Sequence, residues 1–230
     1  MPGEWVEWHR GYAEGQPLTR RLRAVQRSIP TFLDSRAPGP IGVLSLCAGD
    51  GRDLLGVLSD HPRRDDVRAR LIDQDPDLVA GGRRAIARIG LEGVEFVEGD
   101  AASARTCSGA VPADLVLACG IFGNVSDGDI HDFIGHLPEL CAPGAHVIWT
   151  RSRVAPDLTP TIRRWFQESG FAEESFTEIP ESLMSVGAHR LVVAPREFRP
   201  DVHFFTFLPP QDRPSRRGAA GHSAGTAQGH

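Results

Sequence analysis

The chain has 230 residues, 40% hydrophobic and 24% charged, with a formal net charge of −5, a length that suits one ordinary domain with a single large core and additions at its ends. The acidic balance speaks against nucleic acid or an anionic membrane surface as the main partner. All 25 residues counted as Lys or Arg are arginines, which excludes a Schiff-base lysine and a phosphate-loop lysine, since both chemistries require that amine.

The N-terminal segment carries Trp5, Trp8, His9 and Tyr12. Leu18, Leu22, Val25, Ile29 and Phe32 then recur at steps of three and four, the stripe of an amphipathic helix whose solvated face takes Arg20, Arg21, Arg23 and Arg27. Residues 1–40 are read as an N-terminal arm and helix. Ala37 to Pro40 breaks the pattern, and Ile41 to Leu46 follows as a buried strand. Strand and helix periods then alternate: helix Asp53–Leu58, strand Val67–Ile72, helix Asp77–Ile89, strand Val94–Val97, and a short turn of helix within Ala101–Thr106. Strand Asp114–Cys119, helix Asp127–Cys141 and strand His146–Thr150 complete the series, with Pro143-Gly144 as the stop after the helix. Such alternation predicts an α/β fold, a doubly wound parallel sheet with helices on both faces.

The last third differs. A helix over Thr159–Glu168 precedes two strands, Phe171–Ile179 and Ala188–Ala194, expected to pair antiparallel at one sheet edge. The main domain is placed at 41–208, and Pro209 to His230, rich in Pro, Gly, Ser, Ala and Gln, reads as a disordered tail. Cys47, Cys107, Cys119 and Cys141 form no Cys-X-X-Cys pair. No leader is visible and no apolar run is long enough for a bilayer, so a cytoplasmic protein is expected.

In a doubly wound sheet, ligands lie beyond the carboxyl ends of the strands. The first strand delivers Cys47-Ala48-Gly49-Asp50-Gly51 and then a helix start, which suits a strongly polar or anionic ligand group. The second ends in Asp73-Gln74-Asp75, an acid about twenty residues past the loop, where a carboxylate can accept from a vicinal diol. Asp73 and Asp75 serve equally as a helix cap and a first-turn acid. The third strand ends in Gly99-Asp100-Ala101 and the fourth in Cys119-Gly120-Ile121-Phe122-Gly123-Asn124, with Phe122 as an apolar wall. A dinucleotide-dependent dehydrogenase shares the first two features, but its third glycine position falls on Leu54.

Taken together, Cys47-Ala48-Gly49-Asp50-Gly51, Asp73, Gly99-Asp100-Ala101 and the Leu140 to Thr150 segment resemble the motifs of class I S-adenosylmethionine-dependent methyltransferases, over about residues 41 to 195. Trp-His-Arg-Gly-Tyr near the start and Leu-Cys-Ala-Gly-Asp-Gly-Arg-Asp resemble a group of actinobacterial members. The resemblance implies a Rossmann-like seven-stranded sheet of order 3-2-1-4-5-7-6 with the last strand antiparallel; the N-terminal helical extension, with its aromatic cluster, is read as a lid over the cofactor, simple packing of the arm being the alternative. The resemblance also implies S-adenosyl-L-methionine as cofactor, held by Cys47, Ala48, Gly49, Gly51, Asp53, Asp73, Gln74, Asp100, Ala101, Cys119, Gly120 and Phe122, and no metal. Two positions depart from the family pattern: Ser45 stands where an acid is usual and Cys47 where the first glycine is usual. Asp50, Asp53 or backbone carbonyls would then share the acid's role.

The implied reaction is displacement at a sulfonium methyl toward a small-molecule acceptor, in which alignment matters most and a base is optional. His9, Tyr12 and His131 are the candidate bases. Trp8, Asn124, Trp149, Arg151 and Arg153 are candidate acceptor contacts, the arginines suiting an anionic group. A non-methylating use of the cofactor, such as cyclisation, and a non-enzymatic binding role on the same fold stand as alternatives. A homodimer fits the arm and edge strands.

Overall fold

A computed structural model describes residues 16–180 and 182–213. Trp5, Trp8, His9 and Tyr12 lie outside the described residues, as does most of the expected tail. In chain order the elements are α1 (Pro17–Ser35), β1 (Ile41–Leu46), α2 (Arg52–Leu58), β2 (Val67–Asp73), α3 (Pro76–Ile89), β3 (Val94–Glu98) and α4 (Ala104–Cys107). They continue as β4 (Ala113–Ala118), α5 (Asp127–Leu140), β5 (Cys141–Ser152), α6 (Thr159–Glu168), β6 (Phe171–Glu178) and β7 (Met184–Leu191).

The strands form one sheet in the order β3-β2-β1-β4-β5-β7-β6. β1 pairs parallel with β2 and β4, β2 with β3 and β4 with β5, while β7 runs antiparallel to both β5 and β6. The expected topology is therefore the observed one. Alternate strand residues point to opposite faces, and the core divides accordingly. Val43, Leu71, Leu117 and Ile148 face Val25, Ile29 and Phe32 of α1 together with Leu54, Leu58 and Val79 of α2 and α3. Leu44, Ile72, Val116, Val147 and Trp149 face Ile130, Phe133 and Ile134 of α5, Phe166 of α6, and Phe204 and Phe205 of the C-terminal segment.

Three expectations are corrected. β5 begins at Cys141, not His146, because Ala113 already pairs with Cys141 before the register shifts between Ala113 and Leu115. β7 occupies Met184–Leu191 rather than Ala188–Ala194. Val192 and Val193 suit a strand by side-chain type, yet they stand half exposed beyond its end. The tail does not begin at Pro209: a 3-10 turn spans Pro210–Asp212, and Arg213 Nε donates to the Leu208 carbonyl at 2.9 Å. Among the described residues no helix is long and apolar enough to cross a membrane, and all four cysteines are free.

Candidate functional site

A cavity lies where the carboxyl ends of β1, β2, β3 and β4 converge. Its floor is the loop after β1. Ala48 N–H donates to the Ile72 carbonyl, and Gly51 N–H turns back to the Ala48 carbonyl, both at 2.9 Å. Cys47, Gly49 and Gly51 all have left-handed backbone, with φ of 52°, 62° and 78°. Gly51 is required twice over, since a Cβ there would stand 2.6 Å from Leu71 as well as straining the backbone. Cys47 accepts a conformation natural to glycine at a cost on the order of 1–3 kcal/mol, and its side chain enters the cavity wall in return.

Asp73 closes β2 and braces this loop. Its Oδ2 accepts from Gly49 N–H at 2.8 Å and its Oδ1 from Asp75 N–H at 3.0 Å. Asp75 does something different: its Oδ1 caps α3, accepting from Asp77 and Leu78 N–H. Of this acid pair, the capping role falls to Asp75, while Asp73 accepts from the loops after β1 and β2. Beyond β3, Asp100 accepts from Ala102 N–H at 2.9 Å through Oδ1, while its Oδ2 lies 3.5 Å from His203 Nε2. Beyond β4, Gly120 turns with φ of 83° and donates to Thr150 Oγ1 at 2.8 Å.

Cys47, Ala48, Gly49, Asp53, Asp73, Gln74, Asp100, Ala101, Cys119 and Gly120 border this one cavity. Burial lifts the Asp53 carboxyl above its ordinary range, with nearby Arg21 opposing the shift and Asp50 adding to it. Its Oδ1 is buried with no hydrogen-bond partner among the described residues. Burial likewise pushes the Cys47 thiol well up, helped by the Asp73 and Asp100 carboxylates, and the Cys119 thiol well up, helped by Asp53. Neither sulfur is a thiolate at neutral pH, so neither is an activated nucleophile.

Gly51 sits beneath the loop at the start of α2, and Phe122 is not a cavity wall. The Phe122 ring is fully buried between Phe133, Trp149 and Phe166 on the α5 and α6 side of the sheet. Trp149 is fully buried there too, stacked on Phe166 at 5.8 Å, because strand alternation sends position 149 opposite to Ile148. Arg151 is buried and donates to the Phe122 carbonyl, and Arg153 pairs with Glu178 at 3.1 Å. The Asn124 side chain donates to the Gly120 carbonyl at 2.6 Å. His131 is exposed, beside Asp132 at 3.2 Å and against the Trp165 ring. None of these five borders the cavity.

The family model described as "Putative methyltransferase" matches residues 19–167. The chain belongs to this methyltransferase family. The matched span runs from the first turn of α1 to α6 and so contains every strand end at the cavity. No curated protein matches the sequence. Among solved structures, the magnesium protoporphyrin IX methyltransferase ChlM from Synechocystis PCC 6803 with bound S-adenosylmethionine is similar in fold. It shares 14% identity over 81% of this chain and 90% of its own, with a TM-score of 0.64. An O-methyltransferase family protein from Burkholderia thailandensis shares 20% identity with a TM-score of 0.56, over 73% of this chain and only 56% of its own length. The (4+2) cyclase SpnF also shares the fold, at 15% identity over 80% of this chain and 84% of its own, with a TM-score of 0.56.

Four cavity residues of this methyltransferase-family chain are absent from the sequence reading of the site, Arg21, Arg52, Leu78 and Phe207, while Asp50, a candidate for the acid's role, lines the cavity with them. Arg21 was assigned to solvent, but it is 3% exposed. The signal was present, because Arg21, Val25, Ile29 and Phe32 share one helix face at steps of four, four and three. Asp50 and Arg52 flank Gly51 and bind each other, Arg52 Nε donating to Asp50 Oδ1 at 2.8 Å. Phe207 carried no periodic signal, since it arrives on an irregular segment.

Proposed function

We propose that this chain is an S-adenosylmethionine-dependent methyltransferase acting on a small-molecule acceptor, in the cytoplasm and in specialised metabolism. The observation that carries the reading is the Asp73 carboxylate, oriented by two backbone N–H groups at the rim of a cavity that also holds Asp53 and Asp100. The residues present fit the cofactor. A carboxylate such as Asp73 suits the ribose diol because it can accept two hydrogen bonds, and Asp100 with Ala101 suits the adenine amine and ring. The unpartnered Oδ1 of Asp53 suits the ammonium of the methionine end, taking over from the acid that Ser45 replaces. Arg21, in the same wall, suits the carboxylate. When bound, S-adenosylmethionine supplies a methyl group on a sulfonium leaving group. The chain's own task is to align the acceptor and exclude water from the cavity. His9 or Tyr12 is the proposed base where the acceptor must lose a proton, because no imidazole or phenol borders the cavity among the described residues. The free cysteines support the cytoplasmic reading.

A second reading, in which the cofactor stays whole during a reaction such as cyclisation, is favoured by the fold shared with SpnF, since fold does not set the site's chemistry. Calorimetric titration tests the common part: S-adenosylmethionine and S-adenosylhomocysteine are expected to bind and nicotinamide dinucleotides are not. Absence of binding by both adenosyl ligands overturns both readings. Mass analysis of a panel of small acceptors then separates them, methyl transfer supporting the first and an isomerised product with intact cofactor the second.

A further inference from the structure

The segment after β7 wraps back along the α5 side of the sheet as a strap. It starts at the opposite end from the cavity, where Val192 N–H donates to the Gly170 carbonyl at 2.9 Å and Arg196 N–H to the Pro138 carbonyl at 3.0 Å. Arg199 is clamped by Glu139, a carboxylate held below its usual range because hydrogen bonds from Arg199 and His136 outweigh its burial. Phe204 and Phe205 then fill the core against Phe133. From there the strap is bonded to two of the loops that border the cavity. Ala104 N–H donates to the Val202 carbonyl at 2.9 Å and Phe204 N–H to the Ala102 carbonyl at 2.7 Å, tying it to the loop after β3. A bridge between Val125 and Phe207, with Leu208 N–H donating to the Asn124 carbonyl at 2.8 Å, ties it to the loop after β4. Phe207 is thereby delivered to the cavity wall, its ring held edge-on by Phe205 at 5.5 Å.

We propose that Phe207 is a cofactor-binding residue of this chain, supplying the aromatic face on which the adenine ring stacks. The inference rests on the adenosyl reading of the cavity and adds to it a residue from outside the matched span of 19–167. Adenine is the only flat aromatic group that such a ligand carries. The strap bonds to the loop that presents Asp100 and Ala101 through Val202 and Phe204, and three residues on it bridges Phe207 to the loop after β4, so one short segment joins the hydrogen-bonding and stacking surfaces for a single base. His203, 3.5 Å from Asp100, ties the same two parts by side chains. Phe205, which holds the Phe207 ring, is buried and packs in turn on Phe133, so the ring's support is in place before a ligand binds.

The test uses the full chain and two probes, S-adenosylhomocysteine and methylthioadenosine, the second lacking the amino-acid end. Phe207→Leu keeps the apolar packing on Phe205 and removes the flat face. It is expected to weaken both probes by the same factor of about ten or more, as loss of base–aromatic stacking does, which is about 1.4 kcal/mol. Phe207→Tyr is expected to restore both. Phe207→Trp provides a readout independent of affinity, since its added emission is expected to be quenched by methylthioadenosine. Unchanged affinity in Phe207→Leu, loss confined to S-adenosylhomocysteine, or unquenched emission in Phe207→Trp overturns the proposal while leaving the adenosyl reading intact. Failure of the unmodified chain to bind either probe overturns that reading and the proposal with it.

Discussion

Asp73 and Asp75 are two residues apart, equally acidic and equally suited to begin a helix, yet the backbone gives them separate work. Asp73 has both oxygens pinned by N–H groups of two different loops, whereas Asp75 spends one oxygen on two N–H groups of its own helix. Their variants are therefore expected to separate binding from stability. Under the proposed adenosyl reading, Asp73→Ala removes a charge-assisted contact to the diol, on the order of 1.5–3 kcal/mol, and it releases the Gly49 loop, so affinity for S-adenosylhomocysteine is expected to fall at least ten-fold. Asp75→Ala removes an N-cap, about 1 kcal/mol of folding stability, and is expected to lower the urea midpoint while leaving affinity in the folded protein nearly as it was. Calorimetry and urea denaturation of both variants check this, and an equal loss of affinity in the two would remove Asp73 from its assigned place.

At the scale of elements, legibility followed how local the determinants were. Strands β1 to β4 end in short motifs whose residues act through their own backbone turn, and these positions were read in place. Phe122 follows β4, and Trp149 and Arg151 lie within β5, but their directions depend on alternation and on which helices cover each face, which sequence order alone does not give. β7 was misplaced for a related reason: Ser185 and Gly187 look unlike strand residues, while Val192 and Val193 look like them. The reason Gly187 belongs in the sheet is tertiary. It pairs with Trp149, and a Cβ there would lie 2.3 Å from the indole. Gly187→Ala is expected to destabilise the fold by about 1–3 kcal/mol, the cost of overpacking a filled core. Because the conflict is with one ring, Trp149→Leu and Gly187→Ala together are expected to cost less than the sum of the two alone. Urea midpoints for the cycle measure this, and simple additivity would mean that the indole is not what excludes the side chain.

At the scale of the whole molecule, the most buried imidazole among the described residues stands in the middle of this aromatic layer, and that placement contributes to acid stability. His189 Nδ1 accepts from Trp149 Nε1 at 3.1 Å, and its ring stacks on Phe166 at 4.3 Å. Burial lowers its pKa from 6.5 to about 4, with Glu173, 3.6 Å from Nε2, opposing the shift and Arg163 adding to it. The unfolded chain therefore takes up a proton at His189 between about pH 6.5 and pH 4 that the folded chain refuses. The stabilisation from keeping His189 neutral is fully present above 6.5, declines as pH falls through this window, and is lost near 4, amounting to roughly 3 kcal/mol. Glu139 and Glu173, both lowered in the fold, act below the ordinary carboxyl range, so they add a separate loss at lower pH. Asp53, raised by burial, acts in the opposite direction. His189→Gln retains an acceptor for the Trp149 N–H and removes the titration. Its unfolding free energy is expected to vary less between pH 7 and pH 5 than that of the unmodified chain, measured by urea denaturation at each pH. Parallel profiles for the two proteins would mean that the folded layer admits the proton after all, and that acid stability is governed by the carboxylates and by His146, whose pKa burial also lowers.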